Sequence, residues 1–141
     1  IGTDFFKELG DALDVGLSYK PVLLKAILES ADGHGRVKID DIVAYFKAFY
    51  EGRRERGEIV EKANSVFAKG GYTEKEAERN ILSNPFKRFE DMNMMRHTKT
   101  IGIIEVDHVV WKRLTDADKR HILKVCDEKL EEYYNRVGDK G

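Results

Sequence analysis

The run Met92–Asp107, MNMMRHTKTIGIIEVD, decides the fold. Its second half, Ile101–Asp107, is rich in β-branched residues, which favours a strand over a helix. Its first half, Met92–Lys99, reads as a partner strand, with Met92 and Met95 on one buried face and Met94 outside it. A turn near Lys99–Gly102 joins the two into a hairpin. The segments before and after it carry helical periodicity, so the class is α+β, mainly α.

Upstream, Thr73 followed by Glu76 matches a capping box and opens a helix running to about Leu82. The Asn84–Pro85 step disfavours helical geometry at Asn84, which predicts a stop or kink before one or two further turns through FKRFED. Phe86 and Phe89 are expected as core plugs. Further back, Glu58–Phe67 has only weak helical character, and Gly52–Gly57, GRRERG, reads as a charged mobile loop. Asp40 is placed to cap a helix whose apolar stripe is Ile42, Val43, Tyr45, Phe46, Phe49 and Tyr50. Arg36–Ile39 reads as a short strand after the DGHG break at Asp32–Gly35. Ser18 is the expected cap of the preceding helix, with Pro21 tolerated in its first turn, and Thr3 with Asp4 starts another before that.

Downstream, Val109–Leu114 bridges the hairpin to a long helix, with Trp111 as a buried anchor. Thr115 caps that helix, Ile122, Cys126, Leu130, Tyr133 and Val137 form its stripe, and Gly138 closes it. Tyr133 and Tyr134 are expected either on the first helix of the chain or against a second copy. The order helix–strand–helix–helix–hairpin predicts a winged helix-turn-helix-like domain, elaborated by an extra N-terminal helix and a long C-terminal helix. Residues 1–141 are expected to form this one domain, although the insert at 52–72 is long for the usual turn.

Composition narrows the function classes. The 141 residues are 41% hydrophobic and 36% charged. That balance marks a folded chain with a heavily charged exterior. The net charge of -1 excludes a uniformly basic nucleic-acid binder, yet residues 47–100 carry 12 Lys/Arg against 9 Asp/Glu and are the natural place for a basic face. A single cysteine, Cys126, excludes a disulfide framework and suits a reducing cytoplasm. No apolar run approaches the roughly 20 residues that span a bilayer, so no membrane association is expected. The chain opens at Ile1 directly into a helical pattern, which suggests a piece of a longer protein.

Two stretches taken together, 17–50 and 81–114, carry a resemblance. SYKPVLL at Ser18–Leu24, the glycine–strand–Asp40 start of the next helix, NPFKRF at Asn84–Phe89 and VWKRL at Val110–Leu114 are similar to a winged-helix-like accessory segment of large bacterial restriction or phage-defence proteins. Such segments stand beside helicase or HNH nuclease modules. The resemblance implies a neighbouring enzyme, not an activity in these residues: the chain has no P-loop, no DEAD-type box and no paired histidines of an HNH nuclease.

The residues themselves point to phosphate contact rather than catalysis. In a winged-helix reading the helix and hairpin present Arg79, Lys87, Arg88, Arg96 and Lys99, with Arg53 and Arg54 in the second basic cluster. The expected partner is DNA or another duplex nucleic acid, together with other domains of the parent protein and a possible second copy of the chain. Glu74, Glu76, Glu78, Glu90 and Asp91 lie in the same segment and oppose it, so a protein-interaction or dimerisation module is the competing expectation. His34, His97, His108 and His121 lack metal-ligand spacing, and no nucleophile elbow is present, so neither a cofactor, a metal nor a catalytic residue is expected.

Overall fold

Helix α2, Tyr19–Ser30, is the axis of the fold. It is buried on nearly all sides over Tyr19–Ile27 because α1 (Thr3–Leu13), α3 (Ile39–Glu55), α6 (Pro85–Asp91) and α8 (Asp116–Lys140) all pack against it. The computed structural model describes residues 2–13 and 16–140. Between these helices lie the short α4 (Val66–Lys69), α5 (Glu74–Ser83) and α7 (His108–Arg113). The protein is mainly helical, with one small sheet among the described residues.

That sheet has three antiparallel strands, β1 (Arg36–Lys38), β2 (Met95–Thr98) and β3 (Ile103–Val106), in the order β1-β3-β2. Its inner face is Val37, Met95, Ile104 and Val106, all buried against the helices. The alternating pleat therefore sends Arg36, Lys38, Arg96, Thr98, Ile103 and Glu105 to the opposite face. Ile104 is wholly buried at the centre.

Local chemistry explains most boundaries. The Thr73 hydroxyl accepts from the Glu76 amide at 3.1 Å and donates to its carboxylate at 3.2 Å. Thr73 therefore caps α5 as the sequence predicts, with the Glu76 carboxylate bonded to the Thr73 hydroxyl. Thr115 and Asp118 make a reciprocal pair at the start of α8: each backbone N–H donates to the other's side chain at 3.0 Å. Pro85 becomes the first residue of α6, and Asn84 turns the chain between α5 and α6. Phe86 and Phe89 are buried, as their spacing predicts.

Several boundaries differ from expectation. Lys38 rather than Asp40 precedes α3, and Asp40 and Asp41 lie in its first turn, where their charge complements the helix dipole. The helix runs on through Gly52 to Glu55, so GRRERG is mostly its last turn. Glu58–Phe67 forms no helix beyond the single turn of α4, capped by Ser65. Strand β2 starts only at Met95, after a turn in which Asn93 holds φ of 58°, so Met92 lies in no strand. Asp107 caps α7 by accepting from the Val110 amide at 3.1 Å. Gly138 does not close α8, which continues to Lys140.

Trp111 fixes α7 to the DGHG turn, and it is half-buried where full burial was expected. Its Nε1–H donates to the Gly33 carbonyl at 3.0 Å, and the Lys119 ammonium lies 4.2 Å from its ring centre. Gly35 meets that ring face on. A Cβ there would fall 2.7 Å from the indole, and the backbone φ is +76°. Residues with side chains rarely adopt that conformation, so glycine alone fits.

Candidate nucleic-acid interface

The two basic clusters meet opposite fates. Arg53 points into the fold: its Nε–H donates to the Ile59 carbonyl at 2.6 Å and its Nη1 lies 2.9 Å from Glu58. The guanidinium stacks 3.4 Å from the ring centre of Tyr134. Arg54 donates through Nη2 to the carbonyls of Phe67 and Ala68, at 2.8 and 3.1 Å, and so holds α4 against α3. These arginines are fasteners for the insert: the expected mobile loop is largely helix, and residues 58–69 form an ordered strap held across it.

The strap closes over a buried carboxylate. Glu61 is 5% exposed and accepts from the Ser18 amide at 2.9 Å, from the Ser18 hydroxyl and from the Tyr133 hydroxyl. Ser18 also shares a 2.6 Å hydrogen bond with Tyr50. This is why the Ser18 side chain does not cap α2: the hydroxyl is wholly buried and committed to Glu61. Burial first, and the Glu61 carboxylate second, push the Tyr133 hydroxyl well above its ordinary range, and burial likewise raises Tyr50. Tyr134 donates to the Val60 carbonyl at 2.8 Å, and burial pushes its hydroxyl up to about 12. Tyr133 and Tyr134 therefore pack on the insert of their own chain. Phe67 completes the closure, stacked 4.7 Å from Tyr50 within a cluster that includes Tyr19, Phe46 and Tyr72.

The remaining nominated cations fall on three surfaces. Lys87 lies 2.7 Å from Asp91 and 3.6 Å from Glu90, one ammonium between two carboxylates, so its neighbourhood is net negative. Arg79 is exposed on α5, the helix that also carries Glu74, Glu76 and Glu78. Arg88 is exposed on α6 close enough to Lys20 that, after burial, it helps pull the Lys20 ammonium below its ordinary value.

Arg96 belongs to a different arrangement. Glu105 sits between two guanidiniums, with Arg96 Nη2 3.3 Å and Arg36 Nε 3.8 Å from its carboxylate. The register Arg36↔Glu105↔Arg96 places all three in one row across the sheet. The next row is Lys38↔Ile103↔Thr98, and exposed Lys99 follows directly in the turn. Arg36, Arg96 and Lys38 thus share one face with the Glu105 carboxylate, and Lys99 is exposed in the turn that follows β2. The two arginine side chains are open to solvent while the Glu105 carboxylate between them is largely covered.

The turn that carries Lys99 is well held. The Gly102 amide donates to the Lys99 carbonyl at 3.2 Å, and the Gly102 carbonyl accepts from the first amide of α3, that of Ile39, at 2.8 Å. Ile101 projects from this tip with 65% of its surface exposed. Arg36 and Lys38 are not among the residues that sequence reasoning nominates. The signal for them lies in RVK itself: a strand whose central Val37 faces inward must turn both flanking cations outward.

Among the described residues no group of His, Cys, Asp or Glu side chains is gathered to hold a metal ion, and no helix is long and apolar enough to cross a membrane. No family model, curated protein or solved structure matches the chain.

Proposed function

We propose that the chain is a winged helix that engages duplex DNA without catalysing a reaction, as an accessory part of a larger bacterial restriction or helicase-type protein. The sheet order β1-β3-β2, with β1 following α2 and the hairpin following α5 and α6, supports the winged-helix reading. The sequence resemblance supports the parent class. One observation carries the binding mode: the outward row Arg36–Glu105–Arg96, flanked by Lys38 and Lys99, is a cationic platform on the sheet and not on the helix before it. Phosphates dock on such a platform through side chains held at fixed spacing, with affinity that depends on salt. The acidic first turn of α5 argues against that helix lying deep in a groove.

The test is duplex binding by fluorescence anisotropy across a salt series. The double variant Arg36→Glu/Lys38→Glu is expected to weaken binding at least tenfold and to reduce the salt slope by about one for each phosphate it no longer neutralises. A variant that binds with unchanged slope, or a larger effect from Arg79→Glu, overturns the platform.

A further inference from the structure

A second surface has the opposite character. The facing sides of α3 and α5 enclose an open groove of about 830 Å³. Its floor is apolar and shallow: Val43 is buried, while Ala44 and Ala48 are exposed one helical turn apart. Short side chains at that spacing let another helix approach to about 8 Å, the near end of ordinary interhelical distances. The walls carry four carboxylates, Asp40 and Glu51 from α3 with Glu74 and Glu78 from α5, against Lys47 and Lys75, with Arg54 3.9 Å from Glu51 at one end.

Charge decides the occupant. Four carboxylates against three cations leave an acidic balance concentrated at Asp40, Glu74 and Glu78, which disfavours a phosphate backbone, so the groove is no extension of the cationic sheet face. The same excess attracts a cationic chain, and an apolar floor between charged walls is the arrangement that receives the apolar stripe of an amphipathic helix. We infer that the α3–α5 groove is a docking site for a Lys/Arg-bearing amphipathic helix contributed by a partner polypeptide. The helix would seat its small apolar stripe on Ala44 and Ala48 and place its cations against Glu74 and Glu78 on one wall and Asp40 on the other. This inference stands independently of DNA binding, since it uses a different surface of opposite charge.

The test uses two synthetic helical peptides with the same Ala/Leu stripe, one flanked by lysines and one by glutamates, titrated against the full chain by fluorescence anisotropy. The lysine peptide is expected to bind at least tenfold more tightly than the glutamate peptide. Glu74→Lys/Glu78→Lys, and separately Ala48→Arg, should each weaken it at least tenfold while leaving thermal unfolding and duplex affinity within twofold of the parent. The two variants fail in different ways, one by charge and one by bulk, so a misfolded variant does not remove the test. Equal affinity for both peptides, no binding of either, or variants within twofold of the parent overturns the inference. Self-association of the parent chain that Glu74→Lys/Glu78→Lys abolishes also overturns it, because the occupant is then a second copy.

Discussion

The Arg53–Arg54 cluster and the Arg36–Arg96 row are both basic, and they differ in what the guanidiniums meet. At the first, each arginine finds backbone carbonyls of a segment that the fold has closed over it. At the second, two arginines divide one carboxylate on an open sheet. A dense run of charge in sequence is thus a poor guide to where cations face solvent. GRRERG looks the stronger site, yet Arg53 and Arg54 are spent on internal fastening, whereas the sparse alternation of RVK turns both cations outward, where Arg36 shares Glu105 with Arg96.

The contrast is open to attack most forcefully at the strap. Glu61→Ala leaves the Ser18 amide and hydroxyl and the Tyr133 hydroxyl without their acceptor, and is expected to cost about 3 kcal/mol or more in urea unfolding. A loss below about 1 kcal/mol would mean that the strap is not held from within. Gly35→Ala should cost about 1–3 kcal/mol in the same measurement, because a Cβ meets the Trp111 indole and the left-handed backbone is strained. It strikes the base of the sheet instead of the strap.

Arg53→Ala and Arg36→Ala then separate the two regions directly. The first is expected to lower stability by about 1–2 kcal/mol, through loss of the carbonyl hydrogen bond and of the stack on Tyr134, with duplex affinity unchanged. The second should leave stability within about 0.5 kcal/mol while reducing the salt slope of duplex binding. Reversal of that pattern would exchange the roles assigned here.

The smallest effect is on pH dependence. Burial pushes the Cys126 thiol from its ordinary 9.0 up to about 12, and the Tyr134 hydroxyl from 10.0 to about 12. Both groups are neutral when protonated, so the unfolded chain loses these protons at lower pH than the folded one. Their contribution to stability is complete below about pH 9 and declines as pH rises toward 12. Unfolding midpoints measured from about pH 7 to 11 should be flat at first and then fall, and Cys126→Ala should soften the early part of the fall. Consistent with a protonated thiol on a wholly buried side chain, alkylation of Cys126 should be slow until the chain unfolds.

Much of the scaffold is legible in the sequence because its signals are local. Thr73 with Glu76, Asn84 with Pro85, Thr115 and the hairpin residues each act on neighbours within a turn, and each works as its chemistry predicts. Where expectation fails, a distant residue intervenes. Ser18 has the chemistry of a helix cap but gives its hydroxyl to Glu61, from a segment that no local pattern places nearby. Tyr133 falls on the apolar stripe of its helix, yet its partner, like that of Tyr134, lies in a strap with no period of its own. The sheet platform is half visible: Arg96 and Lys99 stand out in the hairpin, but Arg36 joins them only through strand pairing.

That pairing carries a consequence for the order of events in folding. Arg36 and Glu105 are separated by nearly half the chain, so the row exists only once β1 and β3, far apart in sequence, have paired. A nascent or locally opened molecule keeps its positive charges yet has no surface on which they are aligned. A ligand that bound only the aligned row would select the finished molecule, and by mass action would protect it from unravelling.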